Sequence, residues 1–180
     1  MSDLNLPSPG LIFGSALFNS KDMDTQTIKK IWSDRFGPSL EFHHEFFPMK
    51  EYYSRQMGDV DLLKRVIFMS LAPEERDNIV AHKIWADKLE KEISGQQSYR
   101  ALNLDIGLLT VENVSLATGK NFAHRIYLGQ GVFSDLNLQI EHKIFVALPW
   151  TYPDYAHPDF IHFFSWVRGF LLRKNNIENT

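Results

Sequence analysis

The stretch that most constrains the fold is a β-hairpin predicted between Lys120 and Ile140, because its letters determine which residues face one another. In each arm apolar residues alternate with polar ones, which is typical of a strand with one buried face. A two-residue loop would set the apolar face of one arm beside the polar face of the other, and a slip of one residue inverts a face. A three-residue loop, Gly129-Gln130-Gly131, aligns the two apolar faces, and Gly131 supplies the positive φ that such a loop needs. We therefore predict this loop.

The predicted register leaves two interpretations open for each of two side chains, Arg125 and His124. It pairs three residues of the first arm with three of the second, namely Leu128 with Val132, His124 with Leu136 and Arg125 with Asp135. Arg125 is then either the partner of Asp135 in a cross-strand ion pair or a ligand-binding side chain. His124 lies on the apolar face, where it is either a core histidine with one hydrogen-bond partner or the general acid or base of a pocket.

The composition is that of one folded domain, which we predict to span residues 1–180. The chain has 44% hydrophobic and 13% aromatic residues, and no repeat or linker divides it. Its net charge of -3 provides no general attraction for nucleic acid. There is no cysteine, no signal peptide and no apolar run of membrane-spanning length. We therefore expect a soluble cytoplasmic protein with no membrane partner.

The order of predicted elements indicates the fold class. Strands over 11–18, 39–47, 65–71 and 101–106 and helices over 25–36 and 73–94 follow the order of a ferredoxin-like βαββαβ unit, with a short helical turn inside 48–63. Further strands between 114 and 148, the hairpin among them, predict an antiparallel β-meander that extends the sheet or packs beside it. A last helix begins at Pro158. The prediction is an α+β fold with a single sheet-based core.

Known catalytic and nucleotide-binding motifs are absent. Gly119-Lys120 suggests a phosphate loop. A Walker A motif, however, requires glycine at position 114 and Ser or Thr at position 121, and this chain has Val114 and Asn121 there. No histidine pair has the spacing of a metal signature, so we predict no metal site. There is no GxGxxG and no G-x-S-x-G. The sequence names no cofactor and leaves open whether the protein is an enzyme.

Two further features are candidates for a polar pocket. Asp105 ends the predicted fourth strand, where its carboxylate either caps the next turn or points into a cleft. The aromatic loop over 149–155 either closes the core or forms the wall of a pocket. If there is a pocket, we expect it to bind a small anionic ligand, with a nucleotide as one example. Lys120 and Arg125 would hold the anion through charge-assisted hydrogen bonds.

The remaining roles in this pocket complete the hypothesis. His124 would transfer protons if there is catalysis, and Asp105 would orient a partner. The other ligand-binding candidates are Tyr127, Trp150, Tyr152 and Asp154. The hypothesis requires Asp105, Lys120, His124 and Asp154 to approach one cleft. The alternative is a non-enzymatic protein-protein interaction module or homodimer, for which Tyr52, Tyr53, Phe133 and Tyr155 are expected to be exposed.

Several segments together resemble a known family. They are NLDIG at 103–107, LAT at 116–118 with Lys120, HRIYLG at 124–129, LPWTYPDY at 148–155, and Tyr52-Tyr53 followed by Met57-Gly58. With these residues the chain resembles the bacterial family called domain of unknown function 4416 over nearly its whole length. The resemblance implies no established activity, although some members carry the label GTP-binding protein. The family pattern has proline after the aspartate where this chain has Ile106.

Overall fold

The computed structural model describes residues 3–95 and 99–178, with side chains up to Asn175. The strands are β1 (Leu11–Asn19), β2 (Ser39–Phe42), β3 (Leu63–Ser70), β4 (Leu102–Leu109), β5 (Asn113–Thr118), β6 (Arg125–Gly129), β7 (Val132–Glu141) and β8 (Ile144–Ala147). The helices are α1 (Thr25–Phe36), α2 (Lys50–Met57), α3 (Asn78–Ser94) and α4 (Pro158–Glu178), with a 3-10 turn at Val60–Leu62. The predicted α+β class with a sheet-based core is confirmed.

All eight strands belong to one antiparallel sheet with the order β2-β3-β1-β4-β5-β7-β6, and β8 pairs with β7. In the first four strands, β3 lies between β1 and β2, and β1 lies between β3 and β4. The spatial order β2-β3-β1-β4 is that of the ferredoxin-like βαββαβ fold. Beyond β4, β5 pairs with β7 and not with its neighbour in sequence, β6. The longer β7 takes the inner position because it carries the buried residues, whereas β6 is largely exposed.

Over residues 125–127, the hairpin of β6 and β7 pairs odd-numbered residues with odd-numbered ones and even with even, as predicted, but its turn is different. Arg125 faces Asp135 as predicted. The connection is the two-residue turn Gln130-Gly131, with φ of 52° and 80°, which is the type I′ pattern. A bulge at Leu128 restores the parity, so the predicted three-residue loop and the pairing of Leu128 with Val132 are wrong. His124 precedes β6 and lies outside its ladder, so the predicted pairing with Leu136 is wrong too.

Helices cover both faces of the sheet. On one face, even-numbered residues of β1 such as Ile12 and Phe18 pack in a cluster with Trp32 of α1. On the other face, Leu11 and Phe13 pack beneath α4. Since β1 is one of the two inner strands of the first four and side chains pack on both of its faces, it is buried over its whole length.

Two predicted boundaries are corrected by contacts between distant parts of the chain. Helix α3 begins at Asn78 and not at Pro73, because the backbone of Glu74 exchanges hydrogen bonds with Gly10 at 2.9 and 2.8 Å. Strand β2 ends at Phe42 and not at residue 47, and His44 turns towards the start of α4. None of the described helices combines the length and the apolarity that crossing a bilayer requires.

Candidate functional site

A cavity of about 630 Å³ occupies the part of the sheet that α4 leaves uncovered. Along β1 the residues on this face change from Phe13, beneath α4, to Ser15 and Leu17, which line the cavity. On the neighbouring strand β4, Asn103 and Asp105 line it as well. The apolar core beneath α4 and the polar cavity therefore share one face of the sheet.

The cavity also extends to the opposite face through a fork between two strands. Strands β4 and β5 pair only over Gly107–Leu109, and they separate towards the start of β4. Leu116 and Ala117 are neighbours on β5 and belong to core clusters on opposite faces, yet both line the cavity. Side chains of α3, Lys83 and Lys88 among them, complete the lining beyond the fork. One cavity thus joins the polar sheet face to the surface of α3.

A buried ion pair forms one wall. The guanidinium of Arg65 donates to the Oδ2 atom of Asp154, and these side chains are only 5% and 6% exposed. Arg65 also lies over the rings of Phe47 and Phe160, at 4.8 and 4.7 Å from their centres. The Oδ1 atom of Asp154 accepts no hydrogen bond from the described residues. Arg65 therefore neutralises Asp154, whose Oδ1 atom is itself buried.

A second arginine, Arg125, contacts residues of the cavity lining without lining the cavity itself. Arg125 contacts the Oδ2 atom of Asp135 at 2.8 and 2.9 Å, so the predicted ion pair is confirmed. The same guanidinium donates to the hydroxyl of Tyr152 at 3.3 Å and to the carbonyl of Lys120 at 3.0 Å. Asp135, Tyr152 and Lys120 line the cavity, and Arg125 does not. It is a positioning residue for all three.

Three other predicted site residues lie outside the cavity lining. His124 stacks on Trp150, with ring centres 4.8 Å apart, and its Nε2 atom is 3.3 Å from the Oδ1 atom of Asp135. Trp150 donates to the carbonyl of Leu136 at 2.7 Å. Tyr127 is 59% exposed on β6. His124 thus reaches the site only through Asp135.

Asp105 is the carboxylate of the described cavity lining that has no ion-pair partner. It lies within β4, opposite Ser15, so the interpretation as a cap of the next turn is wrong. Its Oδ2 atom accepts a hydrogen bond from the amide of Asn103 at 2.8 Å. No cationic side chain of the described residues forms an ion pair with it, in contrast to Asp135 and Asp154.

Three tyrosines share the cavity lining with this carboxylate. Burial, and after it the charge of Asp105, raises the pKa of Tyr53 well above its usual value. Burial is also the largest cause of the raised pKa of Tyr152 and of Tyr155, and Asp105 adds to both shifts. Tyr53 and Tyr152 line the cavity, and their hydroxyl groups can donate hydrogen bonds into it.

The cations of the lining fall into two groups. Arg100 forms an ion pair with Glu90, whose pKa is raised by burial against the opposing effect of Arg100. Lys91 forms an exposed ion pair with Asp87 at 2.5 Å. In the described parts of the chain, the remaining lysines of the lining have no ion-pair partner; they are Lys83, Lys88 and Lys120. Lys83 and Lys88 belong to α3, so the end of the cavity near α3 carries two lysines outside these ion pairs.

The segments that form this cavity also identify the family. The model of a domain of unknown function, DUF4416, matches residues 8–170. The chain belongs to the DUF4416 family. No curated protein matches it, and neither does any solved structure. The whole cavity lining of this DUF4416 chain, from Ser15 to Tyr155, lies within the matched region.

The fold brings together part of the site predicted from the sequence. Asp105, Lys120 and Tyr152 line the cavity, and so does Asp154. Of the four residues that the hypothesis requires to converge, Asp105, Lys120 and Asp154 line the cavity and His124 does not, so the predicted convergence is met only in part. Sequence analysis missed several lining residues, namely Ser15, Tyr53, Arg65, Lys83, Lys88, Arg100 and Asn103. Asn103 had a detectable signal, because two positions along a strand from Asp105 it must share the same face.

One group of described side chains in the DUF4416 protein is close enough to share a metal ion. His44, His157 and Asp159 have candidate ligand atoms within 4.8 Å of one another. The Nδ1 atom of His44 accepts the N–H of Phe46 at 3.0 Å, so its Nε2 atom carries the proton and donates to Asp159 at 2.8 Å. A metal at Nε2 would require the loss of that proton. The hydrogen bonds are those of a network at the start of α4.

Proposed function

We propose that this DUF4416 protein binds a small anionic ligand in the cavity, and a nucleotide is one candidate. The observation that carries the proposal is the set of three cavity lysines without an ion-pair partner in the described structure, Lys83, Lys88 and Lys120. Lysine ammonium groups bind phosphate as point charges. A volume of about 630 Å³ is within the usual range of small-molecule sites.

The charge balance of the cavity walls supports the binding of an anion at these lysines. Asp135 and Asp154 are each paired with an arginine, so they do not neutralise the lysines. Asp87 is paired with Lys91. A cytoplasmic location is part of the same proposal, and the absence of cysteine from the sequence is compatible with it.

The test is a comparison of binding by a double variant and a matched control. Calorimetry with a nucleoside diphosphate and with inorganic pyrophosphate would measure affinity, and a bound ligand should also raise the melting temperature. Lys83→Ala/Lys88→Ala should weaken binding about tenfold or more, because two charge-assisted contacts are lost. Higher ionic strength should weaken binding by the wild type, since the lysines are near the surface.

The control removes the same charge elsewhere. Lys21 and Lys64 are exposed and do not line the cavity, so Lys21→Ala/Lys64→Ala should bind like the wild type. Equal losses in the two double variants would show a nonspecific charge effect and contradict the proposal. Absence of binding by the wild type to every phosphate compound would do so as well.

A second candidate function is self-association through the edge of the sheet, and a specific surface favours it. Strand β6 is the last strand of the sheet order, and the segment that contains it exposes four large apolar side chains: Phe122 by 64%, Ile126 by 71%, Tyr127 by 59% and Leu128 by 40%. An unpaired edge with apolar side chains is a template for another strand. Of the aromatics expected on the surface, Tyr52 is exposed and Tyr155 is buried.

The oligomeric state tests this candidate. If two copies pair through β6, light scattering should give the mass of a dimer, and Ile126→Lys should give that of a monomer. Lys is chosen because a charge at an edge strand opposes pairing. Ile144→Lys is the control, since Ile144 is also exposed but lies on β8. A wild type that is monomeric at high concentration contradicts self-association.

A further inference from the structure

The two ends of the cavity differ in chemistry. The end near α3 carries Lys83 and Lys88, which have no ion-pair partner among the described residues and which the proposed function assigns to an anionic group. The end on the sheet face contains Asp105, Asn103 and the phenols of Tyr53 and Tyr152. A ligand that fills the cavity through the fork between β4 and β5 therefore meets cations at one end and a carboxylate at the other.

The carboxylate end still has capacity for hydrogen bonds. Asp105 accepts one hydrogen bond, from Asn103 at 2.8 Å. An ionised carboxylate offers about four acceptor positions. Asp135 and Asp154 have arginine partners, and Asp105 has none among the described residues. A partly buried carboxylate with no cation is stabilised by hydrogen-bond donors from a ligand.

The neighbours of Asp105 indicate the type of donor. Tyrosine hydroxyl groups and the amide of Asn103 can each donate and accept. A phenol is protonated at neutral pH, so the hydroxyl groups of Tyr53 and Tyr152 in the lining can donate to ligand oxygens while Asp105 accepts. Alcohol groups of a ligand match this mixture, since each of them both donates and accepts. A group that only donates would leave the phenol hydrogens without acceptors.

We infer that Asp105 is a specificity residue that accepts hydrogen bonds from adjacent hydroxyl groups of a phosphorylated sugar, whose phosphate lies at the lysine end. This inference rests on the proposed function, because it places the anionic group of the same ligand on the lysines. The sugar phosphate can be a free molecule or part of a ribonucleotide, and both present neighbouring hydroxyl groups.

The experiment compares ligands that differ by one hydroxyl group. The probes are ribose 5-phosphate, 2-deoxyribose 5-phosphate, AMP, 2′-deoxy-AMP and inorganic pyrophosphate, with affinities measured by calorimetry on the wild type. The hydroxyl-bearing member of at least one pair should bind about tenfold or more tightly, as expected for a hydrogen bond to a charged group. The pair that shows the difference distinguishes a free sugar phosphate from a nucleotide.

The variant Asp105→Asn locates the effect. Its amide keeps one oxygen acceptor but loses the charge and half of the acceptor capacity. The preference for the hydroxyl-bearing ligand should fall to about threefold or less, since a neutral hydrogen bond contributes roughly half as much. Affinity for pyrophosphate should stay equal or rise, because a negative charge is removed.

The outcomes separate this inference from the proposed function. If the probes bind but neither deoxy compound binds more weakly than its partner on the wild type, the inference is overturned and anion binding stands. A preference that persists unchanged in Asp105→Asn also overturns it. If no probe binds the wild type, anion binding and the inference both fall. The comparison on the wild type does not depend on the folding of a variant.

Discussion

At the scale of single residues, the ion pair of Arg65 and Asp154 carries a high desolvation cost. Both side chains are almost fully buried, and the residues are 89 positions apart in the sequence. Burial of two charges is unfavourable unless each neutralises the other. The aromatic rings on Arg65 add cation–π contacts but provide no negative charge. The wall of the cavity therefore depends on the pair as a unit.

Removal of one partner should consequently be severe. Asp154→Ala leaves the guanidinium of Arg65 buried without a carboxylate, and we expect a loss of about 3 to 5 kcal/mol in the free energy of unfolding. Urea denaturation measures it. The control is Asp34→Ala, which breaks an exposed pair with Lys30 and should cost under about 1 kcal/mol. Similar losses in the two variants would contradict a buried pair.

At the scale of elements, a phenylalanine ring packs on a glycine between β1 and β4, next to the border of the core and the cavity. Phe13 of β1 lies directly opposite Gly107 of β4. A Cβ atom added at Gly107 would lie 2.1 Å from the ring of Phe13. The ring is fully buried and packs on Phe164 at 5.1 Å between centres, so it has little room to move. Gly107 is therefore required by packing and not by its backbone angle.

Gly107→Ala should destabilise the fold by about 1 to 3 kcal/mol or more, because it overpacks a filled core. Gly119→Ala is the control, since nothing lies within 4 Å of the added atom and its φ is not in the left-handed region; it should be neutral or slightly stabilising. Urea denaturation measures both.

The partner of the clash can be tested in the same series. In the background of Phe13→Leu, Gly107→Ala should cost less than in the wild type, because the ring that it meets is gone. If the two substitutions add independently, the ring of Phe13 is not the obstacle.

At the scale of the whole molecule, buried phenols couple folding to alkaline pH. Burial raises the pKa of Tyr155 well above its usual value, with Asp154 as a further cause. The unfolded chain loses this proton near pH 10, whereas the folded chain retains it. The folded state then binds more protons than the unfolded state, so stability is fully present below about pH 10 and decreases above it.

Tyr155→Phe should reduce this dependence. Between about pH 10 and 11.5 the free energy of unfolding of the wild type should fall more steeply than that of the variant, by about 1.4 kcal/mol per pH unit for one proton. Urea denaturation at several pH values measures the two slopes. Tyr52→Phe, at an exposed tyrosine, should leave the slope of the wild type unchanged. Equal slopes for Tyr155→Phe and the wild type would refute the coupling.

Much of the architecture follows from local patterns in the sequence. The continuous apolar run of β1 predicted a strand covered on both faces, and the alternation in the hairpin placed Arg125 opposite Asp135. Both predictions succeed because side chains alternate with a period of two along any strand. The exact turn at Gln130-Gly131 was missed, since a bulge can restore parity as well as a longer loop can.

The candidate site was predicted only in part. The features that were missed depend on contacts between distant parts of the chain. Asp105, Lys120, Tyr152 and Asp154 were identified from their chemistry, and they line the cavity. His124 was predicted to lie on the apolar face of the hairpin strand. It instead precedes β6, which begins at Arg125, and its ring stacks on Trp150. Nothing near Arg65 in the sequence indicates its pairing with Asp154.

By itself, the sequence determined the order of elements, the class of fold and the parity of the hairpin. These depend on periodicity and on residues close in the chain. Tertiary structure alone decided where the sheet divides, which carboxylates receive an arginine and which lysines remain unpaired. Such choices depend on strands and side chains that meet only after folding. For that reason Arg125 became a positioning residue, and Asp105, without a cation, became the focus of the site.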